Sequence, residues 1–194
     1  MSDAQSIEIS KLEKLRSAWL PAVEFLFGEA APEAEFVGFE MNPESAKPVA
    51  LFENETAPYQ YKIQMPARSF SNDVMLLADV IQEMVRGLFP APEQDHNSTT
   101  LCEGTVIYGA IMAIKQVFGE ESVDSYLNAL REKVPAYYDA FSYVAVLLTE
   151  DPQAIKKLRA VQPLLYKATK EDFDTADIEI NRKVKDILLL TFRA

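Results

Sequence analysis

Residues 8–27, EISKLEKLRSAWLPAVEFLF, place Ile9, Leu12, Leu15, Trp19, Val23 and Leu26 at intervals of three and four. Such positions share one face of a helix, so the stretch predicts an amphipathic helix. Pro21 predicts a kink or a split within it, because proline has no N–H to donate, and Gly28 predicts its end. Three short runs follow, EFVGFEM (35–41), PVALFE (48–53) and YQYKIQM (59–65), separated by the turn chemistry of NPESAK and NETAP. In the third, Tyr59, Tyr61, Ile63 and Met65 alternate with Gln60, Lys62 and Gln64, the period of a half-buried strand. The linkers are too short to hold crossover helices, so the three runs predict a small antiparallel sheet.

From Asn72 the period becomes helical and stays so. NDVMLLADVIQEMVRGLF (72–89) predicts a helix opened by Ser71 or Asn72 and closed near Gly87 and Pro90, and PAPEQDHNS (90–98) predicts a loop. Residues 100–118 predict a second helix ended by Gly119, and residues 120–134 a third, stopped before Pro135. AYYDAFSYVAVLLTE (136–150) predicts a strongly apolar fourth, and DPQAIKKLRAV (151–161) a fifth with Pro152 at a tolerated early position. Residues 174–192 predict a last amphipathic helix through Ile178, Val184, Ile187, Leu188 and Leu190. No repeat, low-complexity tract or interdomain linker interrupts this order. The expectation is one α+β domain over residues 1–194, with a helix and small sheet in 1–70 and a mainly helical part in 71–194.

Composition narrows the function classes. The 194 residues are 48% hydrophobic and 25% charged, ordinary for a globular domain with a real core. The net charge of -11 opposes phosphate backbones, so no nucleic-acid binding is expected. Charge is uneven: residues 1–154 hold 10 basic and 24 acidic side chains, residues 155–194 hold 9 and 6. The plain reading is a solvated acidic surface, and the sharper one an acidic face that docks on a basic protein or mimics DNA. Cys102 is the sole cysteine, which excludes an internal disulfide. The opening residues show no secretory pattern. The longest apolar run, TVIYGAIMAI, stops at Lys115, short of a membrane span. A cytoplasmic protein without membrane association is expected.

Two neighbouring stretches carry candidate chemistry: VIQEMVRGLF (80–89) and TLCEGTVIYG (100–109). The first resembles the HExxH helix of zincin-type metallopeptidases, with Gln82 and Arg86 where the two histidines stand and Glu83 at the general-base position. The second resembles the gluzincin helix that brings the third zinc ligand, Glu103 followed by the small Gly104. YQYKIQM lies where the zincin edge strand precedes that helix. The resemblance implies a degenerate zincin-like, gluzincin-type fold over about residues 59–115, with a cleft that has lost its metal. In that reading Arg86 fills the vacated position and pairs with Glu83 and Glu103.

The residues themselves argue against a metal. A catalytic zinc takes three protein ligands, and two histidines four apart serve because i and i+4 share a helix face. Gln is a poor ligand and Arg a permanent cation, so Glu83 and Glu103 are too few. His96, the only histidine, could join Asp95, Glu93 or Cys102, but a single imidazole in an acidic loop reads as solvent-exposed. The competing plain reading needs no cleft. Asp79, Gln82, Glu83 and Arg86 would be the polar face of a helix whose core face is Leu77, Ile81, Met84 and Leu88. Thr100 and Glu103 would form a capping box.

Other chemistries lack their motifs: no G-x-S-x-G, no Walker loop, no G-x-G-x-x-G, no cysteine pair. Cys102 in an apolar helix reads as inert core. Tyr137, Tyr138, Phe141 and Tyr143 could line a pocket, though their spacing also suits core packing. The expectation is therefore a non-catalytic binding or interaction protein without cofactor or metal, acting through an acidic surface or a residual cleft at Gln82, Glu83, Arg86 and Glu103. Its partner would be a protein or a second copy. The alternative is an atypical hydrolase using Glu83 or Glu103 with an unrecognised metal.

Overall fold

A computed structural model of the protein describes residues 3–92 and 98–193. The first helix, α1 (Asp3–Phe27), begins upstream of the expected start and carries Pro21 inside it without splitting. Leu12, Val23 and Phe27 are buried on both sides of that proline, so tertiary packing holds the axis through a position that propensity alone would break. Gly28 ends the helix with φ +87°, its N–H bonding the Glu24 carbonyl at 2.8 Å.

Strands β1 (Glu35–Met41), β2 (Val49–Leu51) and β3 (Gln60–Met65) form the small sheet. Their order is β1-β3-β2, with β3 antiparallel to β2 but parallel to β1, which corrects the wholly antiparallel expectation. Parallel neighbours need a crossover, not specifically a helix. Here residues 42–59, with β2 inside them, reverse the chain twice and return it beside β1. Along β3, Tyr61, Ile63 and Met65 are buried and their neighbours are not, the alternation the sequence predicts.

The remaining chain is helical: α2 (Asp73–Leu88), α3 (Thr100–Phe118), α4 (Glu120–Lys133), α5 (Pro135–Glu150), α6 (Ala154–Val161), α7 (Lys170–Thr175) and α8 (Arg182–Leu188). Asn72 caps α2 by accepting from the Met75 N–H at 2.7 Å. The single last helix expected over 174–192 is instead two short ones. Asp177 takes φ +54°, a conformation its short polar side chain tolerates. The break lets Ile178 enter the core, and Asn181 then caps α8.

Helix α3 is the hub, packed between α2 and α5. Its length and hydropathy match a membrane span, yet 67% of it is buried in the protein's own core. Close approach to α5 depends on Gly104: a Cβ there would sit 2.2 Å from the Ala140 carbonyl oxygen and 2.5 Å from Val144 Cγ2. The backbone of α5 cannot yield as a side chain could. Gly104→Ala is accordingly expected to cost about 2–3 kcal/mol, read as a lower urea midpoint at unchanged slope.

Candidate functional site

Helices α2 and α3 bring the carboxylates and the cation of the two candidate stretches together. Arg86 sits one turn after Glu83 on α2, and its Nη1 donates to Glu83 Oε1. The other arm of the same guanidinium, Nη2, donates to Glu103 Oε2 at 2.8 Å. Ser98 Oγ donates to the second oxygen of Glu103. Ser98 is itself held where the C-terminal segment pairs with the start of α3: its carbonyl accepts from the Phe192 N–H at 2.8 Å.

The helix face carrying these groups is not solvated. Asp79, Glu83 and Glu103 are 5%, 3% and 7% exposed, which corrects the reading of a polar surface face. The reason is that three elements pack on this face of α2: Glu103 of α3 meets Arg86, Tyr126 of α4 meets Gln82, and Ser69 of the preceding turn meets Asp79. The capping box is corrected too. Thr99, not Thr100, caps α3 by accepting from the Cys102 N–H at 3.2 Å, and Glu103 is turned toward Arg86 instead of back to the cap.

Gln82 does not converge with the others. Its Nε2 donates at 2.8 Å to the Tyr126 hydroxyl on α4. Asp79, one turn before Glu83, accepts from Ser69 Oγ and lies 3.6 Å from Arg68 Nη1. Helix α2 therefore carries separate polar connections through Arg86 to α3, through Gln82 to α4 and through Asp79 to the turn before it.

Burial governs the charge states. It pushes the Glu83 carboxyl above the ordinary range, reinforced by Glu103 and Asp79 and opposed by Arg86. Asp79 is also raised by burial, against the Ser69 hydrogen bond and the Arg68 charge. For Arg86 burial acts to lower the value, but Glu103 and Glu83 outweigh it and lock the cation. One guanidinium thus faces two buried carboxylates. The Oε2 of Glu83 has no hydrogen-bond partner among the described residues.

A carboxyl whose value is raised on folding binds its proton more tightly in the native state. Its stabilising contribution is complete at pH below the ordinary glutamate range and is lost as pH climbs through that range to the raised value. Glu83→Gln removes this loss. Stability of the variant relative to the parent is expected to rise between acid and neutral pH, measured by urea unfolding at each pH. Taking the difference removes the opposite trends of Glu40 and Asp151, which Gln64 and Lys157 respectively hold low.

The donor set does not fit the zinc that an intact zincin holds. Arg86 stands at one ligand position, Gln82 is engaged by Tyr126 away from the cluster, and Glu83 and Glu103 both accept from the guanidinium. Beside the Arg86–Glu103 pair, between Phe89, Ser98, Cys102 and Tyr166, the free space is about 10 Å³, room for about one water. Among the described residues no group of three or more His, Cys, Asp or Glu is placed to hold a metal ion. His96, with Asp95 and Glu93, lies outside the described residues.

Cys102 is buried and accepts a 3.3 Å contact from Thr99 Oγ1, and burial raises its thiol to about 12. It is a core residue, not a nucleophile. The aromatic run of α5 packs rather than opens: Tyr137 meets Phe192 at 4.7 Å between ring centroids and Phe141 stacks on Tyr108 at 6.3 Å.

Arg159 on α6 gave no signal in the sequence. It is 5% exposed and pairs with no carboxylate among the described residues. Instead Nη1 donates to the carbonyls of Phe27 (2.7 Å) and Gly28 (3.0 Å), and Nη2 to those of Glu29 (2.7 Å) and Leu88 (2.8 Å). Nε reaches the Pro163 carbonyl at 3.3 Å, and the guanidinium lies 5.5 Å from the Phe89 ring centroid. These carbonyls include the ends of α1 and α2, where unpaired C=O groups and the negative pole of the helix dipole attract a cation. The helix bearing the candidate site is thus fixed at its C-terminus by a residue far away in sequence.

Comparison with protein-family models, with curated proteins and with solved structures gives no match for this chain.

Proposed function

We propose that the protein is a non-catalytic binding protein. The observation that carries this reading is the bridging of Glu83 and Glu103 by Arg86. The two carboxylates best placed for chemistry are both engaged by a permanent cation inside the protein. Neither has an open approach, and the adjoining space holds about one water. A general base must reach a substrate proton, and these groups face each other instead.

In this reading the resemblance to a zincin helix pair is one of frame: a helix with a glutamate at the general-base position, packed on a helix with a second glutamate, the metal position taken by Arg86. The buried triad sets helix register rather than turnover. Binding then falls to the outer surface, where the net charge of -11 favours a basic partner.

Elemental analysis of the purified protein, with a peptidase assay under added Zn²⁺, Mn²⁺ or Co²⁺, tests the reading. Substoichiometric metal and no metal-dependent hydrolysis are expected. One tightly held transition metal per chain, or hydrolysis abolished by Glu83→Gln, would overturn it in favour of an atypical hydrolase.

A further inference from the structure

We infer that the outer face of the sheet is a docking surface for a basic protein segment, its groove receiving an arginine or lysine side chain. The inference rests on the non-catalytic reading above and supplies the partner chemistry that reading leaves open.

The two faces of the sheet differ. Phe39, Tyr61, Ile63 and Met65 fill the inner one. The outer one presents Gln60, Lys62 and Gln64 from β3, and the register Val49↔Gln64 and Leu51↔Lys62 puts two apolar side chains of β2 on the same side. None of these outer residues is buried.

A bulge adds a third apolar group. The register of β1 on β3 slips between Phe36 and Gly38, and Gly38 takes φ +139°, a conformation only glycine adopts cheaply. The slip takes Val37 out of the alternation and leaves it 53% exposed. Bulges re-aim side chains in this way.

Val37 and Leu51 line a groove of about 350 Å³ that is bounded by Glu53, Glu55, Thr56 and Lys62. Lys62 is already held, at 3.0 Å from Glu40 and 2.8 Å from Glu53. Glu55 makes no side-chain ion pair or hydrogen bond among the described residues, and Glu35 beside the groove is exposed as well. A groove lined by Val37 and Leu51 together with Glu53 and Glu55 fits a long cationic side chain. The methylenes of Lys or Arg lie over Val37 and Leu51, and the charged head meets Glu55 and Glu53. An acidic ligand or a phosphate backbone meets the same carboxylates as repulsion.

The test is an NMR titration of the full chain with a short peptide of alternating arginine and glycine, and with the same peptide carrying glutamine for arginine. Amide shifts are expected to cluster at Val37, Leu51, Glu55 and Lys62 with the first peptide and to be absent with the second. The double variant Val37→Ser, Glu55→Gln should weaken binding about tenfold. Both sites are exposed, so its spectrum away from the groove should be unchanged. The inference is overturned by shifts scattered over acidic surface elsewhere, by equal affinity of the double variant, by absence of binding, or by concentration-dependent self-association through this face. Those outcomes leave the non-catalytic reading intact, which fails separately, on metal content or hydrolysis.

Discussion

Arg159→Met is expected to cost about 3–5 kcal/mol of folding stability, since several buried carbonyls lose a donor at about 1–3 kcal/mol each. The side chain satisfies carbonyls of Phe27, Gly28, Glu29, Leu88 and Pro163 at once. Methionine fills much of the volume and donates nothing, so several carbonyls at the ends of α1 and α2 lose their donor. Arg159→Lys should recover little, since a compact ammonium with three donors cannot span five acceptors held in a planar fork. Burial lowers the Arg159 value to about 10, still well above neutrality, so the loss should be the same at pH 6 and pH 8. Urea unfolding at both pH values checks this. A loss within about 0.5 kcal/mol would place Arg159 among ordinary surface positions.

Arg86→Met is expected to cost a similar amount, about 3–5 kcal/mol at neutral pH, for a different reason. Here two buried carboxylates lose their shared cation. Unlike carbonyls, carboxyls escape by protonation. Glu83 already lies above the ordinary range with the cation present; without it the carboxylate has only repulsion from Glu103 and Asp79. The destabilisation should therefore shrink as pH falls and the raised Glu83 carboxyl takes up its proton. The pH profiles separate the two arginines: flat for the clamp on backbone carbonyls, steep for the bridge between carboxylates.

Those two residues also mark where the sequence was and was not legible. Elements with local causes came through closely: the start of α2, placed at Ser71 or Asn72 and capped by Asn72, the Gly119 and Pro135 stops, and the alternation along 60–65 that buries Tyr61, Ile63 and Met65. The pairing of Arg86 with Glu83 and Glu103 was expected from the zincin resemblance. What failed depended on partners distant along the chain. A polar helix face reads as solvated unless the element covering it is known, and nothing in residues 73–88 announces that α3 lies on it. Strand order has no periodic signature, so β3 between β1 and β2 was invisible. Adjacent Thr99 and Thr100 are equal candidates for a cap, and only tertiary pairing of residues 98–100 with 190–192 decides between them. Arg159 was unreadable because its acceptors are backbone atoms, which every residue carries.

Arg86 and Glu103 are partners inside the protein, joining α2 to α3. A double-mutant cycle on Arg86→Met and Glu103→Leu, followed by urea unfolding at neutral pH, tests this pairing most directly. A favourable coupling of about 2–3 kcal/mol is expected, with the double variant much less damaged than the two single losses combined. Additivity within about 0.5 kcal/mol would contradict it.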